Sequence, residues 1–514
     1  MTTAKELEVK LEIAPASLTR LKKIPFVRAL RTRPRRTTEV SVYFDTRKHK
    51  LRKNGLLLRV RRIGGQYIQT IKANGSSGPF ERDEWEAEIT GEQPDLGLAD
   101  GTALGPLVSD RLRRQLRPLF ETRVKRTVYP LTNGPRAIAL TIDHGSIDSR
   151  DHSAPLCEIE LELKRGDLAG VFDVAREISH ALPAHLAFNS KAERGYALVE
   201  GEESAPLKAA SLDLAAGTST REAFKTIGHA CLRQVVGNEP ALANGQPEGV
   251  HQMRVGVRRL RAVMSLFGDI LQDEQSAAIR TELKWLLGQL APARELEVLM
   301  RRVVTPVKTR SARWDGIPPL SRELSKKHQS ALARALNAVA SVRFRALTLE
   351  TAAWLEIGQW TNPEDDLVRD RGDVPVETFA AEQLQRRWRK VRKRGKTLAE
   401  LDPRSRHRLR IQVKKLRYAT EFFCNLIADT RAPKRRKKFL PALEHLQDAL
   451  GDLNDIAVHE DLIAAIGVER RRSSPKRAFA AGLLTGREDA RLDAAMAAAV
   501  EAHAKLAKAK PFWR

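Results

Sequence analysis

The stretch Glu6-Leu7-Glu8-Val9-Lys10-Leu11-Glu12-Ile13 decides how the first half of this chain folds. Successive side chains of a β-strand point to opposite faces, so the charged residues share one face and the apolar residues share the other. In a single strand this alternation is typical of a half-buried strand whose charged face lies in water. The same alternation recurs on strand after strand further along the chain, and a whole set of charged faces requires a common explanation.

The strand patterns continue through residues 1–200 and are mostly joined as hairpins. Strands are predicted at residues 5–13, 39–46, 56–62, 67–72, 82–89, 122–129, 137–143 and 157–164. Helices are predicted at residues 16–31, 105–119 and 167–181. Eight strands connected in this way indicate a closed antiparallel barrel with flanking helices.

Several of these strands carry charged side chains on one face. The face is acidic on some strands and basic on others. The acidic faces carry Glu6, Glu8 and Glu12 and, on the last strand, Glu158, Glu160 and Glu162. The basic faces carry Arg59, Arg61 and Lys72. Carboxylates bind hard divalent cations and Arg or Lys bind phosphoryl oxygens, so a barrel lined by both could hold a metal–phosphate complex. Periodicity alone leaves open whether these faces point inward or to solvent.

The composition predicts an anionic partner. The chain has 514 residues with 90 Lys+Arg against 64 Asp+Glu, a net charge of +26, and its length predicts two or more domains. Cys157, Cys231 and Cys424 form no metal-type cluster or disulfide framework, which favours a reducing cytoplasm. We expect no transmembrane helix, because no long apolar run occurs, and no signal peptide, because the first strand begins close to Met1.

Six motifs follow one another over residues 5–198. They are Glu6-x-Glu8-x-Lys10, Tyr43-Phe44-Asp45-Thr46, Leu58-Arg59-Val60-Arg61, Thr70-Ile71-Lys72, Arg82-x-Glu84-Trp85-Glu86 and Glu158-x-Glu160-x-Glu162-Leu163-Lys164. In this order they resemble the CYTH family of triphosphate tunnel metalloenzymes. The segment Ser190–Tyr196 resembles the end of that domain in bacterial inorganic triphosphatases. The order carries the resemblance, because each motif alone is unspecific.

The CYTH resemblance implies an eight-stranded tunnel that hydrolyses triphosphate-containing substrates with Mg²⁺ or Mn²⁺. By matched position, it implies metal ligands among Glu6, Glu8, Glu158, Glu160 and Glu162. It implies phosphate contacts from Lys10, Arg59, Arg61, Lys72, Arg126 and Lys191, with Glu84, Glu86 and Asp143 completing the acidic side as direct metal ligands or through water. Two choices stay open: which two of Glu158, Glu160 and Glu162 bind metal, and whether Arg123 or Arg126 faces the lumen.

Beyond a linker at residues 201–218, residues 219–510 have apolar positions at helical spacing and no strand patterns, which predicts an all-α domain. It contains a basic repeat. The copies are His251-Gln-Met-Arg254-Val-Gly-Val-Arg258-Arg259-Leu260-Arg261 and His407-Arg-Leu-Arg410-Ile-Gln-Val-Lys414-Lys415-Leu416-Arg417. On a helix, His251, Arg254, Arg258 and Arg261 are predicted to share a face, as are His407, Arg410, Lys414 and Arg417.

A second pair of segments, Arg294–Val298 and Asn454–Val458, supports a duplication. Together with the basic repeat it resembles the CHAD family, helical domains that often follow CYTH domains. The chain departs from that pattern at Glu295, where Asp is usual, and at Lys414 and Lys415, where Arg is usual. The resemblance implies two pseudo-symmetric helical bundles, at about 219–360 and 377–510, whose basic residues bind inorganic polyphosphate. The residues implied to bind polyphosphate are those of the two predicted faces together with Arg259 and Lys415. For each histidine, a packing role is an equal alternative.

The leading hypothesis is therefore an α+β multidomain enzyme of the cytoplasm that hydrolyses inorganic triphosphate and binds polyphosphate, and that could associate with polyphosphate granules. One alternative is a non-catalytic polyphosphate-binding protein. Others are a tunnel acting on thiamine triphosphate or a nucleoside triphosphate, an adenylyl cyclase, and nucleic-acid binding by the basic helices. The full set of carboxylates argues against an inactive tunnel. An aromatic content of 5% and the absence of a base-reading module argue against nucleic acid.

Overall fold

The computed structural model describes residues 2–28, 33–74, 81–202, 204–310, 316–427, 432–467 and 475–513. The side chains of residues 2–6, 74, 81–82, 133, 308–310 and 466–467 lie outside this description. The chain forms two compact units. Unit 1 comprises Met1–Leu207, Leu232–Gly245 and Val339–Gly358, and unit 2 comprises Lys208–Cys231, Gln246–Ala338 and Gln359–Arg514. Two short stretches of the helical half thus group with the strands.

Unit 1 contains one antiparallel sheet, which has nine strands within the described residues. They are β1 (Thr2–Glu12), β2 (Arg35–Asp45), β3 (Leu56–Ile63), β4 (Gln66–Asn74), β5 (Glu81–Ile89), β6 (Arg117–Asn133), β7 (Arg136–Ser149), β8 (Ser153–Arg165) and β9 (His185–Ala187). Their order is β5-β4-β3-β2-β6-β7-β8-β1-β9. β1 pairs with β5 through residues 2–7 and with β8 through residues 8–12.

This sheet confirms the antiparallel architecture and corrects its details. The prediction of eight strands was one too few, because the three-residue strand β9 pairs with Lys10–Glu12 of β1. A regular closed barrel is also too simple, because β1 reaches its two neighbours with different halves. The helix predicted at 105–119 ends before Arg117, where β6 begins. Pro118 lies there, and proline cannot donate a helical hydrogen bond.

The longest helices lie in the second part of the chain. They are α1 (Leu18–Leu21), α2 (Pro25–Arg28), α3 (Lys50–Lys53), α4 (Asp110–Gln115), α5 (Leu168–Ala181), α6 (Lys191–Glu200), α7 (Thr220–Val236), α8 (Glu239–Ala243), α9 (Pro247–Leu266), α10 (Glu274–Leu299), α11 (Thr305–Arg310), α12 (Ile317–Ala340), α13 (Val342–Ile357), α14 (Asp366–Asp373), α15 (Val376–Gly395), α16 (Pro403–Phe423), α17 (Ala432–Gly467) and α18 (Pro475–Lys508). The single helix predicted at 16–31 is therefore divided into α1 and α2, with Pro25 at the start of α2. No helix in the described ranges has the length and apolar character needed to cross a lipid bilayer.

Strands β1 and β8 have buried residues on both faces, and the faces differ in chemistry. Val9, Leu11 and Ile159 are buried on one face, where the amphipathic helix α5 packs across β1, β7 and β8. On the other face Lys10 and Glu158 are only 9% and 2% exposed. The hydrophobic core of this unit therefore lies on the outer surface of the sheet, beneath helices, and the charged residues point into its interior.

In unit 2, the two halves of the helical region begin in the same way. Ser219 forms an isolated antiparallel bridge with Pro375, just before α7 and α15. The Thr220 N–H donates to the Val374 carbonyl at 2.9 Å, and the Val376 N–H donates to the Thr218 carbonyl at 2.9 Å. These reciprocal bonds relate the starts of the two halves, as expected for duplicated helical segments.

Candidate functional site

The strand register brings the predicted site residues onto one inner wall. Glu8, Lys10 and Glu12 of β1 lie directly opposite Glu162, Glu160 and Glu158 of β8. Glu158 in turn lies opposite Asp143 of β7, which lies opposite Arg126 of β6. Side chains directly opposite each other in a sheet share a face, so four strands contribute charges to a single surface.

Three carboxylates at the centre of this wall, Asp143, Glu158 and Glu160, form a buried cluster, here called the acidic cluster. The Lys191 Nζ atom contacts all three, at 2.7 Å from Asp143 and 2.9 Å from Glu160. Arg126 donates to both oxygens of Asp143 at 2.8 and 2.6 Å and to Glu160 at 3.1 Å. Three carboxylates and their cations thus lie together with little access to water.

The cations decide the protonation of the acidic cluster. Burial alone would raise the pKa of Asp143, but the charges of Lys191 and Arg126 outweigh it and hold that pKa below its usual range. Burial likewise opposes ionisation of Glu160, whose pKa is held well below its usual value by the surrounding cations. The pKa of Glu158 is raised, because burial dominates there. The cluster therefore combines two firmly ionised carboxylates with one that takes a proton more readily.

A second group of charges lies on β3, β4 and β5. Lys72 Nζ lies 3.0 Å from Glu84, and Arg61 donates to Glu86 at 2.9 Å. Arg59 lies 3.4 Å from Glu84. The Nε atoms of Arg59 and Arg61 are buried and have no hydrogen-bond partner among the residues that the structure describes. Buried donors of this kind are costly unless a ligand satisfies them, which suits an anion in the interior of the sheet.

In unit 2, basic residues from both repeats converge where α9 contacts α16. Arg254, Arg258, Arg410 and Lys414 form this central cluster, and their charges act on one another. Burial, followed by the charges of Arg410 and Arg258, lowers the pKa of Lys414 to about 7. Burial, followed by Arg258, lowers the pKa of Arg254 to about 10. Like charges held together and partly desolvated are typical of a surface that binds a polyanion.

Two known domain families match separate parts of the chain. The CYTH domain family matches residues 4–196, and the CHAD domain family matches residues 226–464. The chain is a CYTH–CHAD protein. It is 29% identical over 160 residues to the inorganic triphosphatase of Haemophilus influenzae, a match that covers 31% of this chain and 45% of that protein. The chain therefore matches less than half of the length of that relative.

Solved structures resemble each domain separately. The CHAD domain from the plant Ricinus communis is 30% identical, with a TM-score of 0.47, and the match covers 57% of this chain and 96% of that chain. A putative adenylyl cyclase from Hippeastrum, described as having a dominant triphosphatase activity, is 17% identical with a TM-score of 0.29. That match covers 37% of this chain and 95% of that one.

The structure separates the residues that the sequence predicted for the CYTH domain. Arg126 points into the interior, whereas the Arg123 side chain is 61% exposed and pairs with Glu121. Glu158 and Glu160 lie in the acidic cluster, whereas Glu162 is less buried and contacts Lys164 at 2.6 Å. The side chain of Glu6 lies outside the described residues, and its backbone pairs with β5.

Glu39 of β2 is an interior carboxylate that the sequence analysis missed. Its side chain lies 3.7 Å from Arg61 and 3.8 Å from Arg126, and Thr37 donates to it at 3.0 Å. Glu39 therefore lies between a cation of the acidic cluster and a cation of the second group. The available signal was the alternation of Glu39 with Ser41 and Tyr43 on one face of β2.

Helix α6 positions Lys191, which is its first residue. A capping box defines this end, because Ser190 Oγ accepts from the Glu193 N–H at 3.2 Å and Glu193 accepts from the Ser190 N–H at 2.8 Å. Further along, the Tyr196 hydroxyl donates to buried Asp45 at 2.9 Å. The helix is thus held at two points while the lysine reaches the acidic cluster.

Gly195 lets α6 approach the sheet closely, and Gly195→Ala is expected to lower stability. A Cβ atom there would lie 2.0 Å from the Phe120 ring, so the helix or the ring must shift. We expect a loss of about 1–3 kcal/mol in the free energy of unfolding, measured by denaturant titration. The matched control is Gly482→Ala in α18, where, beyond the neighbouring residues and backbone of its own helix, no atom of the described residues lies within 4 Å of the new Cβ. That change is expected to stabilise slightly through helix propensity, and equal losses in both variants would contradict the packing explanation.

The acidic cluster fits a divalent metal ion. Asp143, Glu158 and Glu160 each offer a carboxylate oxygen within 4.8 Å of the other two. Oxygen donors of this kind suit Mg²⁺ or Mn²⁺. Glu8 adjoins the cluster through Lys10, whose Nζ atom lies 2.8 Å from Glu8 and 2.9 Å from Glu160. Asp143, which the resemblance implied on the acidic side as a direct ligand or through water, thus lies in the cluster with Glu158 and Glu160, and Glu162 lies at its margin.

In the CHAD domain, the duplicated segments Arg294–Val298 and Asn454–Val458 both contact the basic repeats. Asn454 accepts from Arg410 at 3.1 Å and contacts the His407 ring at 3.0 Å. Glu295, in the corresponding segment of the other half, lies 3.5 Å from Arg254. His251 is partly buried, and burial followed by the charge of Arg294 lowers its pKa. The two histidines thus lie beside the central cluster.

The other predicted polyphosphate-binding residues do not join the central cluster. Arg259 is 5% exposed and pairs with Glu421, a buried position for a residue predicted to meet a polymer. Arg261 is exposed, and its charge acts on Lys415 and Arg280. Arg417 pairs with Glu421 at 2.8 Å. The residues predicted to share a face in each repeat therefore do not all lie in the central cluster.

Proposed function

We propose that the CYTH domain hydrolyses inorganic triphosphate with the help of Mg²⁺ or Mn²⁺, and that the CHAD domain binds inorganic polyphosphate. The observation that carries the first part is the acidic cluster, whose buried carboxylates lie among Lys10, Lys191 and Arg126. Burying this many charges is costly, and a packed apolar interior of similar volume would avoid that cost. A triphosphate–metal complex supplies the charges of both signs that such an interior matches.

Each group on the inner wall has a role in this reaction. Arg126 and Lys191 would bind oxygens of the terminal phosphoryl group, and Arg59 and Arg61 would bind the remainder of the triphosphate. A divalent cation, when bound to the acidic cluster, supplies further neutralisation of phosphate charge. Water attacks the terminal phosphorus, the bond to the bridging oxygen breaks, and pyrophosphate leaves. A carboxylate of the inner wall would accept the proton of the attacking water.

Phosphate release with Mg²⁺ or Mn²⁺ tests this function and its alternatives. The substrates to compare are inorganic triphosphate, ATP, thiamine triphosphate and long-chain polyphosphate. We expect the highest kcat/KM for triphosphate and no activity with a chelator present. Faster hydrolysis of thiamine triphosphate or ATP, or formation of cyclic AMP, would select another tunnel enzyme. No hydrolysis together with tight polyphosphate binding would select the non-catalytic alternative.

Polyphosphate binding is supported by the convergence of both basic repeats on the central cluster. A linear polyanion needs dense cations and no aromatic stacking, which is the chemistry of Arg254, Arg258, Arg410 and Lys414. Nucleic acid is the competing partner. Polyphosphate should displace bound RNA or DNA at a far lower phosphate concentration, and equal or weaker competition would favour nucleic acid.

Polyphosphate affinity is expected to fall as the pH rises through neutrality. Lys414 has a pKa of about 7 in the free protein and must be charged to bind phosphate, so binding takes up a proton above that pH. The affinity should then fall by up to about tenfold per pH unit. Lys414→Arg keeps its charge and should flatten this dependence, with Lys437→Arg, an exposed lysine of α17, as the matched control. An unchanged slope in Lys414→Arg would assign the proton to another group.

A further inference from the structure

The two halves of the CHAD domain differ at one position beside their basic residues. The chain offset that aligns the two basic repeats also aligns Arg259 with Lys415 and Ser265 with Glu421. In each half, the aligned basic residue contacts the aligned residue of the other half. Arg259 donates to Glu421, and the Lys415 Nζ atom donates to Ser265 Oγ at 3.1 Å. The aligned positions therefore differ in chemistry. The region around the Glu421 carboxylate is here called the carboxylate side, and the region around the Ser265 hydroxyl is called the hydroxyl side.

On the carboxylate side, the cations are neutralised. Glu421 pairs with Arg259 through one oxygen and accepts from Arg417 Nε at 2.8 Å through the other. Arg417 also lies 3.8 Å from Glu444. The Arg259 guanidinium lies over the Phe422 ring, 4.9 Å from its centre. Little positive charge is left on this side to attract an anion.

On the hydroxyl side, Ser265 offers no negative charge to the cations, and the carboxylate of Asp269 acts on Arg387. Among the residues that the structure describes, Lys415 and Arg261 have no carboxylate within salt-bridge distance. Arg387, which aligns with uncharged Cys231, donates to the Ser265 carbonyl at 3.4 Å. Burial and then the charge of Arg387 lower the pKa of Lys415. The Asp269 carboxylate on this side lies 3.9 Å from Arg386.

We propose that Arg261, Arg387 and Lys415 form a second phosphate site that extends the central cluster on this side only. Arg261 lies one helical turn beyond Arg258 on α9, and Lys415 contacts Ser265 of the same helix, so this site adjoins the central cluster along α9. This inference rests on the proposed polyphosphate binding and adds a direction to it. A long polymer leaves the central cluster past Ser265 and avoids Glu421.

The duplication provides matched variants for a test on the full chain. Arg261→Gln and Arg417→Gln remove one charge at aligned positions, and affinity is measured for a short and a long polyphosphate. Arg261→Gln should weaken long-chain binding about two- to fivefold, the loss expected for one partly screened contact, and should affect the short chain less. Arg417→Gln should weaken long-chain binding by less. Equal losses in both variants would overturn the inference.

A second pair of variants introduces a carboxylate without removing a cation. Ser265→Glu reproduces the Glu421 arrangement beside Lys415, and Ser265→Gln is its uncharged control. Only Ser265→Glu should weaken long-chain binding, and equal affinity in the two variants would contradict the second site. Arg258→Gln tests the central cluster separately. If it binds polyphosphate as well as the unchanged chain, polyphosphate binding by that cluster fails. If only Arg258→Gln weakens binding, the direction alone fails.

Discussion

Glu160→Gln is expected to lower kcat/KM for triphosphate by on the order of 100-fold or more, which is the scale of losing one preorganised charge in an active site. Glu160 contacts Lys10, Lys191 and Arg126, so its charge sets the positions of three cations. Each of these cations keeps another carboxylate, because Lys10 retains Glu8 and the other two retain Asp143. The variant should therefore fold, and its defect should be catalytic. Initial rates with saturating Mg²⁺ or Mn²⁺ measure it.

Two variants on the same sheet serve as controls for Glu160→Gln. Glu121→Gln alters a carboxylate that pairs with exposed Arg123 and should retain activity. Glu162→Gln decides the choice that the sequence left open on β8. Its loss should be smaller than that of Glu160→Gln, because Glu162 is less buried and contacts Lys164. Full activity in Glu160→Gln would remove the acidic cluster from the mechanism.

Lys191→Met is expected to cost both activity and stability. The ammonium group contacts Asp143, Glu158 and Glu160, and removing one partner from a buried ionic group typically costs about 3–5 kcal/mol. Triphosphate hydrolysis should also fall, since the phosphate contact proposed for Lys191 would be lost. Denaturant unfolding at neutral pH in the presence of a chelator measures the stability term without a contribution from bound metal. A variant as stable as the unchanged chain would contradict the arrangement of the cluster.

The pH dependence of Lys191→Met follows from the same charges. In the unchanged chain Asp143 and Glu160 have depressed pKa values, so their contribution to stability is present above about pH 4 and is lost at lower pH. Without Lys191 their pKa values rise, and protonation then relieves the repulsion. The stability deficit of the variant should therefore be largest at neutral pH and shrink below about pH 4. The acid limb of its activity profile should move to higher pH for the same reason.

Much of the inner wall could be predicted from local sequence. The alternation on β1 and β8 assigned Glu8, Lys10, Glu158 and Glu160 to single faces, because the two-residue period of a strand is a local property. The basic repeat likewise located α9 and α16. Family resemblance then supplied the direction in which the strand faces point, which periodicity could not.

Other features required partners that are distant in sequence. Arg126 faces the interior because β6 pairs with β7 in a register that places it opposite Asp143. Glu39 belongs to the interior because Arg61 and Arg126 approach it from different strands. Arg259 is buried in the CHAD domain, where it pairs with Glu421, although it follows Arg258 within the same basic repeat.

The sequence by itself determined which residues share a face of each strand and which helices repeat. Periodicity left the direction of these faces open, and tertiary structure decided that the charged face of β1 is the interior one, since α5 covers the apolar face of β1, β7 and β8. It also decided which charges neutralise one another, because Coulomb interactions depend on distances that strand register and helix packing set. Side-chain periodicity is a property of neighbouring residues, whereas the pairing of Lys191 with the acidic cluster depends on the whole fold of unit 1.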